Sequence, residues 1–323
     1  MPDSPIVIAT RGSALALAQA NFIAAQCRES FPGRCVELKI IKTTGDKMQQ
    51  TSLVEGGLPK GLFTKELEVA LIDGTADMAV HSLKDLPTDV PAGLMVAATP
   101  KREDVRDVLV YRSAEFRGKP ELRGFKPGMT LKDFPQEATI ATCSTRRKMQ
   151  LLAARPDFKI VEIRGNVPTR LQKVAERPEL DATVLALAGL SRLNFKVQAD
   201  GTLNGDALPD GLLATVLDLD VMLPCVGQGA IGVEIRADDE LLAKICERLN
   251  DCDTFQSTSA ERAFLRAMGG ACQSPVAAHA TVIGDKIAMR AVSFRDGAAK
   301  KAELKGLVGE AVQLGEQVAA KLI

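Results

Sequence analysis

The chain has 323 residues, 46% hydrophobic and 25% charged, an ordinary globular composition long enough for two or three domains. Lys+Arg and Asp+Glu are equal at 41 each, so no global basic surface for nucleic acid or membrane is present and any cationic site must be local. Seven cysteines without metal-type spacing and only two histidines, His81 and His279, argue against a structural metal centre, and no apolar run reaches membrane-spanning length.

Met1 to Ile8 has neither the basic nor the apolar stretch of a signal peptide, so a reducing cytoplasm is the expected compartment. Ile6 to Thr10 is an apolar strand, and Leu15, Leu17, Ala18 and Phe22 follow at helical spacing. The turn between them, Arg11-Gly12-Ser13, places a capping serine and an arginine where helix N–H groups attract anions. Val36 to Ile41 is a second strand, ending at Lys42-Thr43-Thr44-Gly45-Asp46. Glu55 to Gly61 is glycine-rich and reads as a loop able to close over a site, though it lacks the phosphate-loop pattern. Leu62 to Leu71 is an amphipathic helix.

Asp77 to Pro87 is the most informative stretch. Met78, Ala79 and Val80 form a buried strand that ends abruptly in His81-Ser82-Leu83-Lys84-Asp85, and Pro87 stops its continuation. Ligands of open α/β sheets sit just beyond the carboxyl ends of strands, so Ser82, Lys84 and Asp85 stand where chemistry is done. Leu94 to Ala98 is a further strand, and the polar run Thr99 to Asp107 crosses to a second domain. That domain starts with the strand Val108 to Tyr111, and Arg112 to Pro135 reads as an irregular surface insertion.

The strand-then-polar-turn pattern now returns three times. Ala138 to Ala141 leads to Thr142-Cys143-Ser144-Thr145-Arg146-Arg147 and a helix from Lys148. Phe158 to Ile163 leads to Arg164 to Arg170, with Pro168 suited to a first helical turn. Ala182 to Leu187 leads to Ala188-Gly189-Leu190-Ser191-Arg192. One arginine past a strand end is usually a solvated charge. Repetition at equivalent positions instead predicts a cleft lined by guanidinium groups, for a ligand with several carboxylates. Leu223 to Glu234 is a glycine-rich turn into a strand that returns to the first domain, and the crossings near Thr99 to Asp104 and Leu217 to Pro224 would form a hinge. Asp239 to Leu249 and Thr254 to Met268 are helices. A hairpin turns at Gly284-Asp285, Val308 to Leu322 is a last helix, and together these make a small α+β third domain. Cys272 falls on a loop of small residues, but spacing alone does not separate it from the other six cysteines.

His81-Ser82-Leu83-Lys84-Asp85-Leu86-Pro87 resembles the hydroxymethylbilane synthase (porphobilinogen deaminase) family, and further motifs agree with it in order along nearly the whole chain. They include Thr10 to Ser13, Lys60 to Glu68, Arg102 to Asp104, Thr142 to Arg147, Arg164 to Val167, Val226 to Ala230, Ala260 to Arg262 and Gly270 to Cys272. The resemblance implies two doubly wound lobes like the halves of a type II periplasmic binding protein, joined by a hinge, and a third α+β domain. The expected divisions are 1–101 with 218–236, then 102–217, then 237–323.

It also implies head-to-tail condensation of four porphobilinogen molecules with release of ammonia, on a dipyrromethane cofactor joined by a thioether to Cys272. Asp85 matches the catalytic carboxylate. Arg11, Ser13, Gln19, Arg164 and Arg170 match substrate positions, and Asp46, Ser82, Lys84, Thr142, Ser144, Arg146, Arg147 and Arg192 match cofactor positions. Lys60 and Phe63 belong to the covering loop, where Glu55 and one extra residue depart from the family's pattern. Cys143, Thr145, Pro168 and Ala271 are the other departures. The family expectation is a monomer without nucleic-acid or membrane partners. The rival reading is a non-enzymatic anion-binding protein on the same bilobal scaffold, against which the third domain and Cys272 speak.

Overall fold

The computed structural model describes residues 4–47, 61–115, 123–270 and 274–323. β1 (Ile6–Arg11) leads into α1 (Ala14–Ser30), which Ser13 caps by accepting the Ala16 N–H at 3.3 Å. Such a cap satisfies a helix donor that has no partner within the helix. β2 (Val36–Ile41), α2 (Thr44–Lys47), α3 (Lys65–Ile72), β3 (Met78–Ser82) and β4 (Leu94–Ala98) follow. After the first crossover come β5 (Asp107–Arg112), β6 (Thr139–Ala141), α4 (Thr145–Ala154), β7 (Lys159–Val161), α5 (Val167–Glu176), β8 (Ala182–Ala186) and α6 (Leu187–Ser191). The short ribbon of β9 (Lys196–Val197) and β10 (Leu203–Asn204) precedes β11 (Leu212–Val216), and the chain then crosses back to β12 (Ile231–Arg236). The remainder is α7 (Glu240–Leu249), α8 (Cys252–Ala267), β13 (Val276–Ile283), β14 (Lys286–Ser293), β15 (Lys300–Leu307) and α9 (Ala311–Ala320).

These strands build a mixed α/β molecule. The first sheet has the order β2-β1-β3-β12-β4, with β12 antiparallel to both of its neighbours. The second has the order β7-β6-β8-β5-β11, with β5 antiparallel to both of its neighbours. The two layouts are the same: three parallel strands, one reversed strand, then one more parallel to the first three. In each sheet the reversed strand is the one that directly follows a crossover. Helices cover both faces, which is why β3, β5 and β8 read as apolar runs rather than as alternation. The third sheet, β13-β14-β15, is an antiparallel meander, and α8 and α9 cover it through Ala260, Phe264, Leu314 and Val318.

Several expectations are corrected by packing. α7 buries Leu242, Ile245, Cys246 and Leu249 against Ile8, Ile23 and Val233, so it packs in the first core, not with the third sheet as a boundary at 237 requires. α4 starts at Thr145 rather than Lys148, because Ser144 caps it, and Arg146 and Arg147 therefore lie in its first turn. The segment expected as a polar insertion holds Phe125, Leu131 and Phe134 in the second core. There the Phe125 and Phe134 rings meet Tyr111 edge-on, with centroids 6.1 and 5.6 Å away. β11 and β15 are strands that the sequence reading passed over.

Candidate active site

β3 buries Met78, Ala79, Val80 and His81, and a single 3₁₀ turn, Leu83–Asp85, follows it. Leu83 is buried and its N–H donates to the Ala230 carbonyl at 3.0 Å, which ties the turn to the returning crossover. Asp85, two residues on, is exposed. The crossover packs backbone against this turn. A Cβ on Gly227 would lie 3.2 Å from the Lys84 nitrogen, a tight contact, and its φ of +71° is one that favours glycine.

Two cations, Lys84 and Arg170, lie within electrostatic reach of this carboxylate, and three further arginines stand at the ends of neighbouring strands. Lys84 lies within electrostatic reach of Asp85, Arg147 and Asp107, and burial lowers its pKa. Arg170 lies within reach of Arg147, Cys143 and Asp85, and burial lowers its pKa as well; its Nε donates to the Gly165 carbonyl at 2.8 Å. Burial pushes Arg192 down to about 10, and its Nη2 donates to the Gly229 carbonyl at 2.7 Å. Arg146 and Arg147 are buried at the capped start of α4 and share one carboxylate, Asp107. Thr142 accepts the Ser144 N–H at 3.1 Å, and Ser144 accepts the Arg147 N–H at 3.4 Å, so both hydroxyls shape the turn that presents these arginines.

A second corner forms where β1 and β2 end. Arg11 pairs with Asp46 at 2.5 Å and lies over the Phe63 ring at 4.3 Å. Asp46 also accepts from the Thr43 hydroxyl at 2.7 Å. Burial would raise the Asp46 pKa, but bonds from Arg11 and Thr43 outweigh it and hold the carboxyl below its usual range. Gln19, buried on α1, bonds to the Ser82 hydroxyl at 3.0 Å and so connects the first helix to the end of β3.

The third unit reaches the turn that carries Asp85. Arg262 of α8 donates to the carbonyls of Leu86, Pro87 and Thr88, the residues directly after Asp85. Cys272 and Lys60 lie outside the described residues. Gly270 and Ser274, which flank Cys272, stand between the end of α8 and the start of β13.

Arg164 is not joined to the cluster: its partner is Glu162 at 3.4 Å on the surface. The sequence reading gave no role to Asp107, Gln228 and Glu261, the last two of which it named only within motifs; all are fully buried polar residues whose partners are remote in the chain. A cavity of about 1150 Å³ between α4, β11 and the β14–β15 face includes none of the expected site residues in its lining. Among the described residues, no cluster of His, Cys, Asp and Glu could hold a metal, and no helix is long and apolar enough to cross a membrane.

The donor set suits a ligand with several carboxylates. Arg146 Nε is buried without a hydrogen-bond partner among the described residues, and Arg170 and Arg192 are desolvated cations whose nearest acceptors are carbonyls. Lys84 and Arg170 thus stand within electrostatic reach of one exposed carboxylate, Asp85, just beyond the carboxyl end of β3, the place where ligands of open α/β sheets sit.

The chain matches the family model "Porphobilinogen deaminase, dipyromethane cofactor binding domain" over residues 6–244 and "Porphobilinogen deaminase, C-terminal domain" over residues 255–323. It is 44% identical to the porphobilinogen deaminase of Chlorobium phaeobacteroides (strain BS1), over 86% of this chain and 79% of that one. It is 41% identical to that of Trichlorobacter lovleyi, over 100% and 94%, and 42% identical to that of Moorella thermoacetica, over 98% and 93%. The chain belongs to the porphobilinogen deaminase family and is an enzyme of that transferase type.

Proposed function

We propose that the chain catalyses the hydroxymethylbilane synthase reaction. Four porphobilinogen molecules and one water give linear hydroxymethylbilane and four ammonia, a step of tetrapyrrole and heme biosynthesis. Family membership supports this reading, and the observation that carries it at the site is Asp85, an exposed carboxylate beside Lys84 and Arg170 at the end of β3.

When bound, dipyrromethane supplies a primer that carries carboxylates of its own and is joined by a thioether to Cys272. Lys84, Arg146, Arg147 and Arg192 hold those carboxylates, with Ser82, Thr142, Ser144 and Asp46 shaping the surrounding turns. Arg11, Ser13, Gln19 and Arg170 serve the incoming substrate, Arg164 joins them only by leaving its surface partner Glu162, and Lys60 and Phe63 belong to the cover. Loss of ammonia from porphobilinogen leaves a conjugated methylene-pyrrole cation. The Asp85 carboxylate stabilises that charge as it develops, the mirror image of an oxyanion hole. The cations around it fix the acidic side chains of the substrate and keep the reacting carbon in place.

The two sheets of equal strand order, connected by two crossovers, support a bilobal molecule with a hinge at 99–106 and 217–230 and a third domain beyond it. Intact-mass measurement of the purified chain tests the function. The mass should exceed that of the translated residues by a pyrrole pair, and porphobilinogen should add further pyrrole units stepwise. A chain of unmodified mass in every preparation, with substrate or without, overturns the proposal and favours a plain anion-binding protein.

A further inference from the structure

Asp107 is the first residue of β5 and is fully buried. Its Oδ1 accepts from Arg147 Nη2 at 2.7 Å, from Arg147 Nε at 3.2 Å and from Gln228 Nε2 at 3.0 Å. Its Oδ2 makes an ion pair with Arg146 Nη1 at 2.8 Å that lacks hydrogen-bond geometry, so Oδ2 accepts no hydrogen bond among the described residues. One carboxylate therefore meets both guanidinium groups of the first turn of α4 and the amide of the returning crossover. Burial would raise its pKa, yet Arg146 and Arg147 outweigh that and hold it far below the usual carboxylate range.

The charge balance gives this contact a purpose. Arg146, Arg147 and the nearby Lys84 are three cations in a poorly solvated place, and arginine does not give up its proton. A ligand with several carboxylates would neutralise them when bound, but a chain folded before its ligand arrives needs an anion of its own. The Asp107 contacts also leave donors over. Each guanidinium has five N–H groups, and the Arg146 Nε remains without a partner among the described residues.

We infer that Asp107 is the built-in counter-ion of the anion site, a positioning residue that holds Arg146 and Arg147 ready while no ligand carboxylate is present and shares them afterwards. The inference rests on the proposal that these two arginines hold the dipyrromethane carboxylates.

The test compares the full chain in two forms: made without a porphobilinogen supply, and the same protein loaded by added porphobilinogen, with loading read by intact mass. Asp107→Asn should lower the melting temperature of the cofactor-free form by several degrees more than that of the loaded form, and should reduce the fraction that loads. A plain core role predicts equal falls in both forms, and that result, or no fall in either, overturns the inference. If the cofactor-free Asn variant does not fold, the same variant made with a porphobilinogen supply should still fold and carry the added mass; failure to fold in both forms overturns the idea. Arg147→Ala separates the two layers. If it fails to load while Asp107→Asn behaves as wild type, only the role of Asp107 falls; if it loads normally, the assignment of the arginines falls as well.

Discussion

Arg102 and Glu261 face each other in a two-pronged pair, Nη1 to Oε1 at 2.8 Å and Nη2 to Oε2 at 2.9 Å, across 159 residues of sequence. The same buried carboxylate accepts the N–H of Gly227 at 2.8 Å and of Ala280 at 3.0 Å. It thus joins the outgoing crossover, the returning crossover, α8 and β13 at one point. Removing one partner leaves the others buried without compensation. Glu261→Ala should therefore lower stability on the order of 3–5 kcal/mol. Urea unfolding checks this, and a loss below about 1 kcal/mol would mean that the apolar contacts of α8 suffice without the pair.

Asp85→Asn keeps the shape of the side chain and removes its charge. Asp85 is exposed, so folding should barely notice the change. Turnover should fall by roughly two to four decades, because the developing cation loses its opposing charge while the substrate contacts remain. Single-turnover kinetics beside a circular dichroism melt separates the two effects. Near-normal turnover would remove Asp85 from its role.

The sequence discloses the parts of this site that depend on local order and hides those that depend on remote partners. β3 is a short apolar run cut off by polar residues, and the structure puts a strand and a turn there. Ser13 caps α1 as its position before the first helical residues predicts. Asp107 gave no such signal. An aspartate before an apolar strand looks like a turn residue, and its partner Arg147 lies 40 residues further on. β15 was hidden for another reason. Lys300, Lys301, Glu303 and Lys305 read as solvated surface, and only pairing with β14 makes the segment an edge strand with charges facing out. Likewise the helical pattern of α7 is plain in sequence, but which core it joins is a matter of tertiary contact.

Asp46 gives a prediction in pH. Burial would raise its folded pKa, but bonds from Arg11 and Thr43 overcome burial and leave it below the unfolded value of about 3.9. A depressed carboxylate contributes stability that is complete above the unfolded pKa and is lost as pH falls through the folded one. The stability difference between wild type and Asp46→Asn should therefore be constant from neutral pH down to about pH 5 and shrink only below about pH 4. Urea unfolding across that series decides it. A difference that already declines near pH 6 would point to another titrating group.

Gly229 gives the last prediction, and a second glycine supplies its control. A Cβ on Gly229 would stand 2.5 Å from the Glu103 carbonyl oxygen, and the residue has φ +83°. Gly284, in the turn between β13 and β14, has φ +64°, and a Cβ there would meet nothing within 4 Å. Gly284→Ala therefore bears conformational strain alone, about 1 kcal/mol. Gly229→Ala bears that strain and a backbone clash, so its loss should be clearly larger. Its effect should also reach the site. The Gly229 carbonyl accepts from Arg192 Nη2 at 2.7 Å and from the Glu103 N–H at 3.1 Å, so relieving the clash moves the seat of a guanidinium. A raised KM for porphobilinogen should accompany the lower melting temperature of Gly229→Ala and be absent from Gly284→Ala. Equal melting temperatures for the two variants would show that the returning crossover yields freely and does not hold Arg192 in place.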